Sequence, residues 1–461
     1  MKQLCSVILI LMLVIGGCKK IFLTDDSISS LTSPAAKNNL VIYYHTHYTI
    51  TGDGRLFEKN HSLLKIGENL KAVPQFFYVF DGSVEKLTDF SAKIRQANGS
   101  VKTYNKGDLL TQRLSDRYRI SELKARYLPI MTSIAVGDLI ETVSTHELKL
   151  PPLGIRFSPS EIGEQAANIS CTIEMPLQDS LSFKIANDTL SPKISYQAKS
   201  KLYRFEWNGY APQSQRHSFT NRNNAPEILA AFPRFRDFSS KKMVRINDWK
   251  DFGNWYLDLI ASKTAANEMI ASLAQEITMG TTTAKEKMDA IFEYCQKNVR
   301  YEQVYLEKGE FIPNDYQTIL ARKYGDCKDY SLLMYVLAKS IGVNPNLALC
   351  YRGRGVKFYE DITVSQFNHA IVYLNDAGHD YWYDGTNRIG IPGVTTKDLM
   401  NATALILEKN NSRLTTIAES PGNKLQIEGA FNYNNKGLVG EIKISLFCQF
   451  AIDFFYEEMY L

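Results

Sequence analysis

The sequence lacks the features by which several classes of protein are recognised. Its seven cysteines include no CxxC pair, so the ligand spacing of a structural zinc site is missing. The formal net charge is only +4, and no basic run is interleaved with aromatic residues, which argues against nucleic-acid binding. Beyond residue 17, no segment is long and apolar enough for a transmembrane helix. We therefore expect no metal ion or other cofactor and no nucleic-acid partner.

A short apolar run is present at the N-terminus. Residues 4–15 follow the basic Lys2 and lead into Gly16-Gly17-Cys18, a pattern typical of a removable export signal. Small residues directly before a cysteine resemble a bacterial lipoprotein signal, which implies that Cys18 is lipidated and becomes the mature N-terminus. The alternative is an ordinary secretory signal with an incidental cysteine. Both predict export, and the first also predicts anchoring to a bacterial membrane, facing the periplasm or the cell surface.

Composition and periodicity divide the chain into segments. Alternation at Ile42, Tyr44 and Tyr48 indicates strands, and Asn98-Gly99 is a strong hairpin signal. Helical periodicity becomes clear only in the second half of the chain. We therefore expect, in order, a signal peptide, a tether, a β-rich antiparallel sandwich-like domain, an α+β domain and a partial C-terminal β segment, at residues 1–17, 18–38, 39–245, 246–420 and 421–461.

One short motif lies at the centre of the second domain, at residues 323–330. Gly325 interrupts the preceding structure, and Asp326 is a good N-cap that Asp329 can complement in the manner of a capping box. The apolar residues that follow predict a buried helix. Cys327 would lie in the first turn, where the helix dipole and free N–H groups favour a nucleophilic thiolate. A cysteine that merely packs at a helix start is the alternative.

Two strand patterns further along provide partners for this thiol. Residues 367–374 and 379–386 are rich in β-branched and aromatic residues, and a turn with Asn, Asp and Gly separates them. A hairpin of this kind puts His369 and Asp384 on neighbouring strands, where the carboxylate can orient an imidazole that faces Cys327. Thiol, base and orienting group are the parts of an activated nucleophile.

Residues 285–400 resemble the transglutaminase-like superfamily. The resemblance rests on three signatures in the expected order, Tyr324-Gly325-Asp326-Cys327-Lys328-Asp329, Asn368-His369-Ala370 and Tyr383-Asp384-Gly385-Thr386. It implies a papain/transglutaminase-like α+β cysteine domain with Cys327, His369 and Asp384 as catalytic residues. The strand-rich region ahead of it is similar to a β-rich domain often found before bacterial transglutaminase-like domains.

The sequence thus predicts an exported thiol-dependent acyl-transfer enzyme that acts on amide or peptide bonds of a protein or peptide substrate. Cys327 would attack the carbonyl, His369 would accept the thiol proton and later protonate the leaving amine, and Asp384 would fix the imidazole. The Cys327 N–H is an expected oxyanion donor, and Tyr301 and Gln303 lie where a second could come from. Because bacterial members of the superfamily are often thought to be hydrolases, we expect a peptidase or amidase rather than a cross-linking transglutaminase.

Two other interpretations remain open for the whole protein. The same fold could be a non-catalytic scaffold in a surface-anchored binding or assembly protein, although a scaffold has no need to keep a complete Cys-His-Asp set. A papain-like protease would prefer Asn as the third residue and would carry a different signature around its cysteine.

The remaining cysteines and two histidines allow further interpretations. Cys171, Cys295, Cys350 and Cys448 could pair in an oxidising compartment, but Cys295 lies on the apolar stripe of a helix and is expected to be a buried free thiol. Histidines 45 and 47 share one strand face, and no further metal ligand accompanies them in the sequence, so an exposed strand face is expected there.

Overall fold

The structure of the chain is a computed structural model. It describes residues 39–68, 77–80, 85–113, 119–121, 124–129, 134–148, 154–162, 165–187, 192–210, 226–237, 239–305, 312–353, 357–387, 390–419, 424–434 and 437–447. The expected signal peptide and tether at residues 1–38, with Cys18, lie outside this part of the chain, as does Cys448. Among the described residues, no helix is long and apolar enough to cross a lipid bilayer.

The N-terminal half is rich in strands, as the sequence predicts. Its strands are β1 (Leu40–Ile50), β2 (Leu56–Lys65), β3 (Phe77–Phe80), β4 (Glu85–Arg95), β5 (Val101–Asn105), β6 (Leu110–Arg113), β7 (Arg119–Ser121), β8 (Lys124–Tyr127), β9 (Leu139–Leu148), β10 (Gly154–Phe157), β11 (Gln165–Glu174), β12 (Ser182–Ala186), β13 (Lys193–Gln197), β14 (Leu202–Tyr210), β15 (Glu227–Ala231), β16 (Arg234–Arg236) and β17 (Met243–Arg245). Short 3₁₀ helices occur at Lys106–Asp108 and Pro159–Ile162.

The largest sheet contains eight of these strands in the order β13-β14-β11-β1-β2-β9-β4-β5. Its neighbours are antiparallel except β1 and β11, which run parallel with Tyr44 opposite Ile169. Two three-stranded sheets have the orders β10-β15-β12 and β3-β8-β6. In the turn between β4 and β5, Gly99 has a φ of +85°, a conformation that glycine adopts without strain. The hairpin predicted from Asn98-Gly99 is therefore confirmed.

The eight-stranded sheet and the β10-β15-β12 sheet share one apolar core. Ile169 and Phe205 on the large sheet and Ile228 on the small one are completely buried, and the Phe157 ring stacks on Trp207 with centroids 5.8 Å apart. Two sheets that enclose alternate apolar side chains form the sandwich-like layering that the period-two pattern predicts.

The second half of the chain combines helices with a smaller sheet. Its elements are α1 (Trp249–Ile260), α2 (Glu268–Ile277), α3 (Ala284–Asn298), β18 (Arg300–Tyr301), β19 (Gln303–Tyr305), α4 (Tyr316–Arg322), β20 (Tyr324–Gly325), α5 (Cys327–Ser340), β21 (Asn346–Cys350), β22 (His369–Asp376), β23 (His379–Tyr383), β24 (Thr403–Ile406) and β25 (Arg413–Thr416). A 3₁₀ turn, Ala261–Lys263, follows α1. Five strands form a sheet in the order β23-β22-β21-β24-β25. With the β-rich first half, these elements confirm the predicted α+β class.

Helix α5 is the buried centre of the second half. Leu332, Leu333, Val336 and Leu337 are inaccessible to solvent and belong to a core shared with α2, α3 and β22. Truncation of one such leucine to alanine typically costs about 2–5 kcal/mol. The helix is therefore a rigid support for the residue at its start, Cys327.

The two halves meet at the segment that leads into His369. Lys184 forms an ion pair with Asp361, and the Tyr359 hydroxyl donates to Asn187 Oδ1 at 3.3 Å. Five buried side chains from both halves form a small apolar cluster: Ala186, Leu229, Tyr359, Ile362 and Val364. The N-terminal domain therefore supports the approach to β22.

The C-terminal segment is an antiparallel hairpin of β26 (Lys424–Asn434) and β27 (Gly437–Phe447). Several of its apolar side chains are exposed, including Ile427 at 61%, Tyr433 at 85% and Ile442 at 58%. The alternation of the sequence predicts these strands, but most of their described side chains face solvent.

Candidate active site

The backbone around Cys327 is fixed by the N-cap of α5. The Asp326 carboxylate accepts the N–H groups of Lys328 at 3.0 Å and Asp329 at 3.4 Å, and the Asp329 carboxylate accepts the Asp326 N–H at 3.2 Å. This reciprocal arrangement is the predicted capping box. Residue 325 must be glycine because a Cβ there would lie 2.6 Å from the Cβ of Asp329. Local sequence thus places Cys327 in the first turn of the helix.

Cys327 differs from the other described cysteines in its accessibility. It is partly exposed, whereas Cys171, Cys295 and Cys350 are buried, and all four are free thiols. Burial raises the pKa of each of the three buried thiols, so they stay neutral. Cys295 is thus the buried free thiol that was predicted, and the three buried cysteines do not pair with one another. Cys327 is the described thiol that a substrate can reach.

The β22–β23 hairpin carries the two proposed partners of this thiol. His369 is the first residue of β22, and Asp384 directly follows β23. Between the strands, Ala377 and Gly378 have φ values of 52° and 82°, as a tight two-residue hairpin turn requires. The sequence predicts this hairpin, and its register brings the two side chains to the same end of the sheet.

His369 and Asp384 form a close buried pair. His369 Nε2 lies 3.0 Å from Asp384 Oδ2, and each side chain is only 5% exposed. Neither atom makes a well-directed hydrogen bond to another described residue, so the contact is an ion pair. The second carboxylate oxygen, Oδ1, accepts from the Thr386 N–H at 3.1 Å and from its hydroxyl at 2.6 Å.

The electrostatics of the pair favour its charged form. Burial alone lowers the pKa of the His369 imidazole, but the Asp384 carboxylate and a hydrogen bond with the Cys327 thiol outweigh burial and raise this pKa to about 10. Burial raises the pKa of Asp384, but His369, Arg352 and Thr386 together hold it well below its usual range. At neutral pH the stable arrangement is therefore an imidazolium beside a carboxylate, with Cys327 in contact with the ring.

Further titratable groups surround Cys327. Lys328 Nζ forms a 2.6 Å ion pair with Asp326 Oδ2, and its side chain is only 14% exposed. Burial lowers the pKa of Lys328, but the charges at Asp326 and Cys327 raise it overall. Burial, with a contribution from Cys327, raises the pKa of Tyr301 to about 12, so this 38% exposed residue is a neutral phenol at physiological pH. The side chain of Gln303 lies outside the described part of the chain.

No motif in the sequence points to Arg352 as part of the site. Its guanidinium donates to Thr386 Oγ1 at 2.9 Å and lies 3.5 Å from Asp384 Oδ2. The residue follows β21 in a stretch without strand or helix periodicity, so no sequence pattern indicated its position.

The two N-terminal histidines have ordinary polar partners. His45 Nδ1 is 2.6 Å from Ser170 Oγ, and His47 Nε2 is 3.2 Å from Glu174 Oε2. Both are half-buried rather than fully exposed. Among the described residues, no group of three or more His, Cys, Asp or Glu side chains is arranged to hold a metal ion.

The family comparisons identify two domains. Residues 271–382 match the transglutaminase-like superfamily, and residues 64–214 match DUF3857, a domain of unknown function. The chain therefore carries a transglutaminase-like core domain preceded by a DUF3857 domain, which confirms the resemblance drawn from the sequence. The first match includes Cys327 and His369 and ends two residues before Asp384. The search of curated proteins finds no match to this chain.

A solved structure shares the fold of this chain. A presumptive protease from Parabacteroides distasonis ATCC 8503 aligns with a TM-score of 0.62 at 16% identity, over 84% of this chain and 73% of that one. At this identity the likeness concerns the fold alone. An M1 zinc metallopeptidase from Deinococcus radiodurans aligns over 53% of this chain and 54% of that one, with 10% identity and a TM-score of 0.23. That score is too low to support an argument.

Proposed function

We propose that the chain is an exported, thiol-dependent enzyme that hydrolyses amide or peptide bonds of a protein or peptide substrate through Cys327, His369 and Asp384. One observation carries the proposal. An accessible thiol at the N-terminus of a buried helix interacts with a buried imidazole, and a carboxylate lies 3.0 Å from that imidazole. A nucleophile, its base and an orienting group in this order are sufficient for covalent acyl transfer.

The proposed reaction has two steps. The Cys327 thiolate attacks the amide carbonyl, and the protonated His369 gives its proton to the leaving amine as the C–N bond breaks, which leaves a thioester and a neutral imidazole. A water molecule then attacks the thioester while His369 takes its proton. The C–S bond breaks, the carboxylic acid leaves, and the thiolate–imidazolium pair is restored. Asp384 keeps the ring in place in both steps.

The negative charge that develops on the carbonyl oxygen needs donors. Asp326 accepts the N–H groups of Lys328 and Asp329, which leaves the Cys327 N–H at the helix start as the first donor of the proposed oxyanion site. We assign the second donor to the Tyr301 hydroxyl. Tyr301 pairs with Gly325 of β20, two residues before Cys327, and its phenol stays protonated at neutral pH.

Hydrolysis is favoured over cross-linking for two reasons. A solved structure with the same fold is named as a presumptive protease. The resemblance to the transglutaminase-like superfamily also implies a hydrolase, since its bacterial members are often thought to be hydrolases. The choice depends on whether water or an amine resolves the thioester, so a product assay can separate them.

We further propose that the enzyme is a lipoprotein of the bacterial cell envelope, anchored through Cys18. The support is the basic, apolar and small-residue pattern of residues 1–18. Wild-type protein should fractionate with membranes and carry lipid on Cys18, and Cys18→Ser should release it. Wild-type protein found free of membranes and without lipid would contradict the anchor.

The activity test uses a general acyl donor because the natural substrate is unidentified. With p-nitrophenyl acetate, wild-type protein should release a burst of nitrophenolate equal to one acyl group per molecule, and intact-mass measurement should find that group on Cys327. Cys327→Ala should abolish the burst, and His369→Ala should slow both phases. His379→Ala, an exposed histidine on the same hairpin, is the matched control and should behave as wild type.

A second arm identifies the bond class. A library of amides and short peptides should give product carboxylates with wild-type protein and none with Cys327→Ala. If wild-type protein shows neither a Cys327-dependent burst nor turnover of any amide, the catalytic proposal is wrong, and a binding or assembly scaffold takes its place.

A further inference from the structure

Arg352 contacts the residue that precedes His369 and the carboxylate of Asp384. It lies just after β21, the central neighbour of β22, and its side chain is about one-third exposed, at 32%. The backbone and the guanidinium make separate sets of contacts, one toward His369 and one toward Asp384.

The backbone of Arg352 holds the residue before His369. Its N–H donates to Asn368 Oδ1 at 2.6 Å, and its carbonyl accepts from Asn368 Nδ2 at 3.1 Å. The Asn368 N–H in turn donates to the Cys350 carbonyl at 3.1 Å. Three hydrogen bonds therefore fix the start of β22, where the imidazole leaves the backbone.

The guanidinium of Arg352 holds the carboxylate of Asp384. One terminal nitrogen lies 3.5 Å from Asp384 Oδ2 and donates at 2.9 Å to the Thr386 hydroxyl, which itself donates to Asp384 Oδ1. The Nε donates to Asp398, whose backbone carbonyl also accepts the Gly353 N–H at 3.0 Å. Arg352 is thus anchored on its outer side and directed toward Asp384 on its inner side.

We propose that Arg352 is a positioning residue that keeps Asp384 directed at His369. The inference rests on the proposed function for its catalytic meaning, but the geometric claim can be tested without turnover. The planar guanidinium group contacts Asp398 through one nitrogen and both Thr386 and Asp384 through another. A lysine ammonium group cannot reproduce that arrangement. On this proposal, the 3.0 Å contact between His369 and Asp384 depends on the Arg352 guanidinium as well as on the hairpin.

A charge-only role for Arg352 predicts the opposite result. Loss of a positive charge near the pair would stabilise the imidazolium and raise the pKa of His369. Loss of the position of Asp384 would instead lower this pKa. The other titratable groups that face His369 are Cys327 on α5 and the cross-strand Cys350, which burial keeps neutral, and both stay unchanged in the variants.

The experiment is a pH titration of the histidine side chains by nitrogen NMR on the full chain. His369 is assigned by its absence from the His369→Ala spectrum. In Arg352→Met the midpoint of the His369 titration should fall by about one pH unit or more. Arg352→Lys keeps the positive charge but lacks the planar guanidinium group, and its His369 midpoint should fall by most of the same amount. Arg413→Met is the matched control because Arg413 lies on the edge strand β25 and forms an exposed ion pair with Glu408. This variant should leave the His369 midpoint unchanged.

Each outcome decides the proposal. A fall in both Arg352 variants supports the positioning role, and a rise in Arg352→Met or a wild-type midpoint in Arg352→Lys overturns it. If Arg352→Met does not fold, the lysine variant decides. A parallel p-nitrophenyl acetate assay should retain the acylation burst in Arg352→Lys and slow the steady state by up to about a hundredfold. A missing burst in wild-type protein defeats the proposed function, whereas a normal wild-type burst with an unchanged steady state in Arg352→Lys defeats only this inference.

Discussion

His369 Nε2 lies 3.0 Å from Asp384 Oδ2, which joins the first residue of β22 to the residue that directly follows β23, and both side chains are only 5% exposed. A buried ion pair at this separation is stable only when its charges have further partners. Thr386 and Arg352 provide them for Asp384, and Cys327 interacts with the His369 imidazole. The contact therefore depends on side chains from α5, the segment after β21 and the β22–β23 hairpin together.

Asp384→Asn should lower turnover while leaving the thiol accessible. The amide keeps the shape of the carboxylate but removes the negative charge that orients the imidazole and stabilises its protonated form. We expect the steady-state hydrolysis of p-nitrophenyl acetate to fall by about 10²–10⁴-fold. Asp258→Asn, which changes an exposed aspartate paired with Lys409, should have no effect. Equal rates for Asp384→Asn and wild type would show that the carboxylate has no part in the reaction.

The same pair should make stability depend on pH in the alkaline range. The pKa of histidine in an unfolded chain is about 6.5, and that of His369 is raised on folding to about 10. A group whose pKa is raised on folding adds stability below the unfolded value, and this stability is lost as the pH rises through the folded value. The free energy of unfolding of wild type should therefore exceed that of His369→Gln by more at about pH 6 than at about pH 10, with a difference between the two pH values on the order of 2 kcal/mol. The difference in melting temperature between the two proteins should shrink accordingly.

The control for this pH dependence is His379→Gln, because His379 is exposed on the same hairpin. Its melting temperature should follow that of wild type at both pH values. If the difference in melting temperature between wild type and His369→Gln stays constant from acid to alkaline pH, the imidazolium adds no stability.

Asp326→Ala should lower the free energy of unfolding by more than the loss of an ordinary helix N-cap does. Loss of an N-cap typically costs about 1 kcal/mol. Asp326 is also the 2.6 Å partner of Lys328, whose side chain is 14% exposed, and an unpaired buried charge costs about 3–5 kcal/mol. We therefore expect denaturant unfolding to give a loss of at least about 3 kcal/mol for Asp326→Ala.

The matched control is Asp315→Ala at the start of α4. Asp315 caps its helix through the Thr318 N–H at 2.8 Å, but its ion pair with Lys263 is 3.6 Å long and partly exposed to solvent. This variant should lose about 1 kcal/mol. Addition of Lys328→Met to Asp326→Ala should recover part of the larger loss. If Asp326→Ala and Asp315→Ala lose similar free energies of unfolding, the ion pair between Asp326 and Lys328 contributes little to stability.

The parts of the site that could be predicted are those encoded by neighbouring residues. Gly325, Asp326 and Asp329 specify the start of α5 within five positions, and the hairpin turn at Gly378 specifies the register of β22 and β23. In both places the chain needs a particular backbone conformation that few residue types allow. Local chemistry therefore decides the structure, and a single sequence is enough to predict it.

The parts that could not be predicted depend on contacts between distant segments. Arg352 meets Thr386 across 34 positions, from a turn without periodicity. The parallel pairing of β1 with β11 joins His45 to Ser170 across 125 positions, and nothing in either strand distinguishes a parallel from an antiparallel neighbour. The partner of each such residue is selected by how whole sheets pack, so its position follows from the complete fold.

The last prediction concerns the reactivity of Cys327. The interaction between Cys327 and the His369 imidazole should keep the thiol reactive in mildly acidic solution, because an adjacent imidazolium stabilises a thiolate. Iodoacetamide should therefore alkylate Cys327 at about pH 6 much faster than a free cysteine, whose pKa is about 8.5. His369→Ala should slow this acid-side reaction by at least about tenfold, and any reactivity that remains measures the contribution of the helix N-terminus.

The two other variants separate the causes of this reactivity. Asp384→Asn should give an intermediate alkylation rate at about pH 6, since the imidazole stays but its protonated form loses the carboxylate that stabilises it. His379→Ala should match wild type. The measurement is a pH series of alkylation rates, with the site identified by peptide mass. If wild-type Cys327 follows the profile of a free thiol and His369→Ala changes nothing, the residue is not an activated nucleophile, and the transglutaminase-like domain acts here as a scaffold.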